Sequence, residues 1–166
     1  MRHQGLTLLE VLAVIIVIML LSALLLPPMC GSGLRKAKQT ACASNLQQLY
    51  QLGTVYASTH KGEWPKSTGE DLWLSFTKTV PPLVRPDELL IFACPVRGED
   101  PEPGECQYLG PRIPWNQLKP GDPLAADKEG NHGEEYGGNV LFKDGSVMEY
   151  GSSDARWKKC REVLSP

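Results

Sequence analysis

Ionisable side chains crowd one stretch of the chain between residues 127 and 144. They are Asp127, Glu129, His132, Glu134, Glu135 and Asp144. Carboxylate oxygens are hard ligands that suit Ca²⁺, and we expect Asp127 and Asp144 as the ligands if an ion binds here. However, the spacing matches no twelve-residue calcium loop, and glutamates in loops are commonly only solvated. His132 suits calcium poorly, so we expect it to hydrogen-bond the following hairpin, through Asp144 or a backbone carbonyl.

The sequence gives no support for catalysis. It contains no Gly-x-Ser-x-Gly elbow, phosphate-binding loop or His-Glu-x-x-His helix. Ser146, Asp144 and His132 could be drawn as a catalytic triad, but Ser146 is better explained as the residue that leaves a turn. We therefore do not expect an enzyme. The formal net charge of −2 and the lack of a dense Lys/Arg stripe argue against a nucleic-acid-binding surface.

The amino-terminal segment carries the most specific pattern in the chain. Gly5-Leu6-Thr7-Leu8-Leu9-Glu10 is followed by an apolar run from Val11 to Leu26. About 21 residues, from Leu6 to Leu26, are enough to cross a bilayer core of ~30 Å as one helix. Glu10 is the sole ionisable residue of that span. A lone carboxylate in lipid costs on the order of 2.5–3.5 kcal/mol, which points to a functional role.

An ordinary secretory signal or signal anchor is the competing interpretation of this segment. The leader from Met1 to Gln4 has one full positive charge, at Arg2, but no small-x-small cleavage site follows the apolar run. A plain anchor also has no use for Glu10. Arg2 should keep the leader cytoplasmic, so the chain beyond Leu26 is expected outside.

The segment resembles the cleavage and methylation segment of type IV pilins and type II secretion pseudopilins. The resemblance implies that prepilin peptidase cleaves between Gly5 and Leu6, and that the new Leu6 amine is methylated. It also implies that Glu10 is the acid these families use in assembly. There the carboxylate can neutralise the terminal amine of its own or a neighbouring subunit. Secretion pseudopilins often hold calcium in a head loop such as the 127–144 stretch.

Further motifs resemble a narrower group of pilin-like proteins. The stretch from Leu34 to Leu49 and the sequence Gly62-Glu63-Trp64-Pro65 are similar to an Ala-Arg-x-x-Ala, Cys-x-x-Asn-Leu-Lys-Gln and Gly-x-x-Pro pattern. That pattern marks large paralogous families of pilin-like proteins. These families also carry a His-and-Asp-Gly motif near the carboxyl end, which His132 and Asp144-Gly145 resemble.

Five cysteines are present in the chain. In an oxidising exterior, Cys94 and Cys106 are the best candidates for a disulfide, because the intervening residues can loop back easily. Cys42 could pair with Cys160 only if the carboxyl-terminal tail packs on the long helix. Zinc is the competing use of the cysteines, but no Cys-x-x-Cys or closely spaced Cys/His pair supports it. Cys30 is expected to be a free thiol.

These patterns predict an α+β fold of the type IV pilin kind. A long amino-terminal stem helix, with a membrane half and a soluble half, would pack on a small antiparallel β-sheet head. The predicted domains are a leader at 1–5, a transmembrane and assembly helix at 6–26, a hinge at 27–33, the soluble half of the stem at 34–60, and a globular α+β head at 61–166. Alternating residues around Asp144-Gly145 predict a β-hairpin, and the apolar run 89–94 predicts a strand.

The expected function is that of a structural subunit of a type IV pilus-like filament or type II secretion pseudopilus. The resemblance implies a single-pass inner-membrane protein with a cytoplasmic amino terminus and a periplasmic or extracellular head. Its partners would be prepilin peptidase, copies of itself or paralogous subunits, and indirectly an assembly platform and ATPase. The alternative is a membrane-tethered extracytoplasmic module that binds a ligand, such as a glycan, and never polymerises. The sequence leaves open major pilin, minor pilin and pseudopilin.

Overall fold

The computed structural model of this chain describes residues 7–25, 31–102, 104–133 and 135–165. These residues fall into two compact units, divided between Leu34 and Arg35. Within them there are four α-helices and one five-stranded antiparallel sheet. The predicted leader, residues 1–5, lies outside the described residues, as do residues 27–30 of the predicted hinge.

The first unit contains helix α1, Leu8–Leu25, which begins with a capping box. The Thr7 hydroxyl oxygen accepts a hydrogen bond from the Glu10 N–H at 3.3 Å, and the Glu10 carboxylate accepts one from the Thr7 N–H at 3.0 Å. This reciprocal pairing satisfies donors that the start of a helix otherwise leaves free. The large apolar side chains from Leu8 to Leu21 are all exposed.

No helix among the described residues is long and apolar enough to cross a membrane. Helix α1 has 18 residues, and at ~1.5 Å per residue it measures about 27 Å, short of a bilayer core of ~30 Å. Helix α2, Gly31–Thr59, is long enough at 29 residues but carries Arg35, Lys36 and Lys38.

Three predictions are corrected here. The predicted transmembrane half of the stem is wrong, and so is the predicted single-pass location in the inner membrane. The predicted fold class, a pilin-like stem with a membrane half packed on a small sheet, is therefore also wrong. The structure has instead four helices and a five-stranded antiparallel sheet within its described part, and its longest helix is polar over much of its surface.

The sheet of the second unit has the strand order β4-β3-β2-β1-β5, with every neighbouring pair antiparallel. The strands are β1 Tyr108–Pro111, β2 Pro123–Asp127, β3 Gly138–Phe142, β4 Val147–Tyr150 and β5 Leu164–Ser165. The predicted hairpin is confirmed, because β3 and β4 pair across the Asp144-Gly145 turn. Gly145 has a φ of 84°, a left-handed conformation that glycine adopts without strain.

Both faces of the sheet are covered by a helix. Successive residues of a strand point to opposite sides, so the sheet contributes side chains to two cores. On one face α2 contributes its buried stripe to a core that includes Cys42, Leu46, Leu49, Tyr108, Leu124 and Leu141. On the other face lies helix α4, Ala155–Glu162. The core on that side consists of Leu109, Ala126, Val140, Tyr150, Trp157 and Leu164.

The apolar run before Cys94 does not form the predicted strand. Leu89–Phe92 is a 3₁₀ helix, and its backbone groups pair locally, with the Ile91 N–H donating to the Glu88 carbonyl at 3.2 Å. A short apolar run satisfies a strand or a buried helical turn equally well, so its pattern could not decide between them. This 3₁₀ turn places Cys94 in the core between α2 and the sheet.

Helix α3, Glu70–Leu74, approaches β1 so closely that Gly110 has no room for a side chain. The Gly69 N–H donates to the Pro111 carbonyl at 2.8 Å. A Cβ atom on Gly110 would lie 2.0 Å from the Gly69 carbonyl oxygen. Because both partners are backbone, neither can yield without moving its element.

Gly110→Ala is therefore expected to lower the free energy of unfolding by about 1–3 kcal/mol or more, the range for overpacking a tight contact. Urea unfolding followed by tryptophan fluorescence measures the change. Gly151→Ala is the matched control, because a Cβ there meets nothing within 4 Å, and its effect should stay within about 0.5 kcal/mol. Equal unfolding free energies for the two variants would contradict the tight approach of α3 to β1.

Candidate functional site

Four side chains that could bind an ion meet inside the second unit. They are Cys42, Cys94, Asp127 and His132, and their potential ligand atoms all lie within 4.8 Å of one another. Each of these residues is at most 3% exposed. They come from α2, the segment after the Leu89–Phe92 turn, the end of β2 and the loop between β2 and β3. The tertiary fold alone assembles this cluster.

The two cysteines meet across the packing of α2 against the 3₁₀ segment. Their Sγ atoms lie 2.7 Å apart. Backbone contacts hold Cys94 in place, since its N–H donates to the Gln107 side-chain oxygen at 2.8 Å. The Asn45 amide on α2 donates to the Ala93 carbonyl at 2.9 Å, which ties the same segment to the helix.

Asp127 ends β2 with its carboxylate buried. Its Oδ2 atom accepts two hydrogen bonds from Asn139, at 2.7 Å from the backbone N–H and at 3.1 Å from the side-chain amide. The Nε2 atom of His132 lies 3.2 Å from the same oxygen but without the alignment of a hydrogen bond. Within the described residues, Asp127 Oδ1 has no hydrogen-bond partner.

His132 is fixed through its backbone carbonyl rather than through its imidazole ring. The Arg35 guanidinium donates to the His132 carbonyl and stacks over the Tyr136 ring, 3.1 Å from the ring centroid. In the same loop, the Asn131 amide donates to the Gln107 carbonyl at 2.7 Å. Neither ring nitrogen of His132 has a hydrogen-bond partner within the part of the chain that the structure describes. Each buried polar atom without a hydrogen-bond partner lowers the free energy of unfolding by ~1–3 kcal/mol.

The protonation of the cluster is strongly perturbed. Burial raises the pKa of Asp127 to about 7. Contact with Cys42 lowers the pKa of Cys94, and the same contact raises the pKa of Cys42. Burial lowers the pKa of His132, but the neighbouring Cys94 and Asp127 outweigh it, so the pKa is raised. Protons held by these groups could be displaced by a bound cation, because metal ligands bind in their deprotonated forms.

The two expected calcium ligands are not brought together. Asp127 lies at the end of β2, whereas Asp144 follows Phe142, whose partner Pro123 is at the opposite end of β2. Asp144 stabilises the β3–β4 turn instead. Its Oδ1 accepts hydrogen bonds from the Ser146 N–H at 2.9 Å and from the Ser146 hydroxyl at 2.6 Å. The predicted hydrogen bond from His132 to Asp144 or a carbonyl is also wrong, because the ring lies beside Asp127.

The predicted disulfide between Cys94 and Cys106 is not formed in the structure. Both are free thiols, and the Cys94 sulfur lies against that of Cys42 instead. Cys106 is buried elsewhere, which raises its pKa to about 12. The alternative pair is not formed either, because Cys42 lies on the α2 face of the sheet and Cys160 on the α4 face. Cys30 lies outside the described residues.

The remaining predicted site residues lie at the amino terminus. Gly5 and Leu6, the predicted cleavage and methylation site, are outside the described residues. Glu10 lies in the first turn of α1 and is exposed. Hydrogen bonds from the Thr7 N–H and hydroxyl, each at 3.0 Å, hold the pKa of Glu10 below its usual value. Its carboxylate therefore stays ionised at neutral pH.

Comparison of the chain with protein-family models, curated proteins and solved structures gives no match in any of the three.

Arg35→Lys is expected to lower the free energy of unfolding by about 1–2 kcal/mol. A lysine cannot reproduce the planar stacking on Tyr136 together with the contact to the His132 carbonyl. Arg156→Lys makes the same chemical change at a side chain that is 72% exposed and 5.0 Å from the Tyr150 ring, and it should cost no more than about 0.5 kcal/mol. Chemical denaturation of both variants tests this, and a smaller loss for Arg35→Lys than for Arg156→Lys would refute it.

Proposed function

We propose that this chain is a structural subunit of a type IV pilus-like filament or type II secretion pseudopilus. In this proposal prepilin peptidase cleaves the chain after Gly5, the new Leu6 amine is methylated, and subunits assemble through the amino-terminal helix. The observation that carries the proposal is the surface of α1. Every large apolar side chain from Leu8 to Leu21 is between 43% and 90% exposed, and Glu10 is the single charged residue between Thr7 and Leu25.

An apolar helix of this kind gains free energy when its surface is covered. Burying one large aliphatic side chain contributes about 1.5–3 kcal/mol. Contact along several turns of α1 can therefore offset the ~4–15 kcal/mol that association costs in lost freedom of motion. A helix that is apolar on all sides is normally found buried. Packing of α1 against copies of itself or paralogous subunits satisfies this requirement.

Glu10 supports the proposal through its charge. Cleavage after Gly5 would create a cationic amine at Leu6, four residues before Glu10 and about one helical turn away. When α1 is covered by other subunits, the carboxylate loses water and gains from a cationic partner. The amine of its own or a neighbouring subunit is such a partner. The capping box gives Glu10 a second, purely local role, and the two roles can be separated by substitution.

Glu10→Gln should abolish assembly while leaving the helix start intact, because glutamine also completes a capping box with Thr7. In cells that co-express the chain with prepilin peptidase and an assembly platform, we expect the sheared filament fraction to fall at least about tenfold, since an uncompensated buried charge costs ~3–5 kcal/mol. Quantitative immunoblotting of that fraction, with electron microscopy, is the measurement.

Thr7→Ala is the control for this experiment, because it breaks the capping box but keeps the charge. It should reduce filament yield far less than Glu10→Gln does. If Glu10→Gln assembles normally while Thr7→Ala does not, the local role explains Glu10 and the charge-pairing proposal fails. Normal assembly of both variants would also refute the charge-pairing role of Glu10. If neither the parent chain nor the variants assemble, the result favours a ligand-binding module that does not polymerise.

The processing step has its own test in the intact mass of the mature protein. We expect a product that begins at Leu6 and carries one added methyl group on its amine. Gly5→Leu, which removes the small residue before the cut, should leave the product with its leader and without the methyl group. A mature chain that retains Met1, or one that begins well beyond Leu26, would contradict the proposed processing.

A further inference from the structure

The Cys42, Cys94, Asp127 and His132 cluster lies outside α1, and its composition is that of a metal site. Two sulfurs, one carboxylate and one imidazole converge from four separate segments in a region closed to solvent. We propose that these four residues bind one zinc ion as a closed, four-coordinate structural site. This proposal goes beyond the proposed function and stands independently of it.

The donor set selects the metal. Thiolate and imidazole ligands suit zinc, whereas calcium and magnesium take oxygen ligands almost exclusively. Structural zinc sites use four protein ligands, while catalytic sites use three and keep one position for water. The cluster supplies four candidate ligands and each is at most 3% exposed. Both facts point to a structural site.

The spacing of the ligand atoms fits one ion after a small adjustment. Zinc binds sulfur at ~2.3 Å and nitrogen or oxygen at ~2.0–2.2 Å, so the ligand atoms of a tetrahedral site lie about 3.3–3.8 Å apart. The four atoms here lie within 4.8 Å of one another. The sulfurs of Cys42 and Cys94, at 2.7 Å, must separate by roughly 1 Å to admit the ion.

The unpartnered atoms of the cluster are a second, independent indication. Asp127 Oδ1 and both ring nitrogens of His132 lack hydrogen-bond partners among the described residues, although both side chains are at most 1% exposed. Buried polar atoms are almost always satisfied in native proteins. A disulfide between Cys42 and Cys94 would use the two sulfurs and leave these atoms unpaired. A metal ion would engage the carboxylate and the imidazole together with the sulfurs.

The surrounding residues are placed as supports for such ligands. Asn139 donates two hydrogen bonds to Asp127 Oδ2, which leaves Oδ1 for the metal. Arg35 holds the His132 carbonyl. Zinc with two thiolates and one carboxylate has a net charge of −1, so the Arg35 cation next to His132 also offsets that charge. Zinc binds the thiolate, carboxylate and neutral imidazole forms, so every proton that the four side chains carry at these ligand atoms is released to water on binding. Asn139 and Arg35 are thus positioning residues.

The test uses the full chain, without a polyhistidine tag and kept in mild detergent because α1 is apolar. The protein is reduced, stripped of metal with a chelator, and titrated with Zn²⁺ or Co²⁺. We expect one zinc per chain by native mass spectrometry and a higher thermal unfolding midpoint with zinc. Cobalt should give the visible absorption of a tetrahedral site, with a thiolate-to-cobalt charge-transfer band in the near ultraviolet.

Single substitutions then test the sulfur and imidazole ligands. Cys42→Ser, Cys94→Ser and His132→Ala should each weaken zinc binding at least about 100-fold, and Asn139→Ala by about 10–100-fold, as expected for a support of a ligand. Cys106→Ser is the matched control, because Cys106 is equally buried but outside the cluster. Asp144→Asn is the control for the other acidic candidate. Both controls should bind zinc as the parent chain does.

Two outcomes would overturn the proposal. One is a reduced parent chain that takes up neither zinc nor cobalt, although near-ultraviolet circular dichroism shows that it is folded. The other is zinc binding that keeps the affinity of the parent chain in both Cys42→Ser and Cys94→Ser. The cobalt spectrum of the parent chain decides the ligand type without any variant, so a misfolded variant does not leave the question open.

Discussion

The carboxylate of Asp127 is almost completely removed from water, and much of the second unit can be understood as compensation for that burial. An uncompensated buried charge costs several kcal/mol, so donors or cations must meet it. Asn139 provides two donors to one oxygen. Gly138 leaves the necessary space, because a Cβ there would lie 3.0 Å from the Asp127 Cβ and 2.6 Å from the Trp157 ring. The other carboxylate oxygen, Oδ1, has no donor within the described residues. A donor or cation that completes the compensation must therefore contact Oδ1.

A bound ion at this point would change how the unit holds together. The four cluster residues belong to α2, the segment after the 3₁₀ turn, β2 and the β2–β3 loop. Four bonds to one ion would join these segments, and they would lose structure together rather than separately. In the proposed filament subunit this would be a useful property, because the folded state of the second unit would then not depend on contacts that other subunits make with α1.

The sequence was informative where a pattern is local. Alternation around Asp144-Gly145 identified the β3–β4 hairpin. It failed where tertiary packing decides. The run 89–94 is too short for its period to separate a strand from a turn. The membrane half of the stem was inferred from hydropathy over residues 6–26, whereas the described helix has 18 residues. The cluster was missed because Cys42 and Cys94 are 52 residues apart, so no ligand spacing in the sequence pairs them.

Local interactions explain only part of why an acid occupies position 10. The capping box with Thr7 and the helix dipole both favour an acid in the first turn, by about 1 kcal/mol and ~0.3–1 kcal/mol respectively. A glutamine would serve the box almost as well, so the box alone does not require a charge. Neither contact accounts for the exposed apolar surface from Leu8 to Leu21, which gains free energy only by contact with other apolar surfaces. Once that contact forms, water leaves the carboxylate and the two Thr7 hydrogen bonds remain. In the proposed assembly the need for a cation would therefore grow as the helix is covered, and the same covering would make the charge of Glu10 selective for a cationic partner.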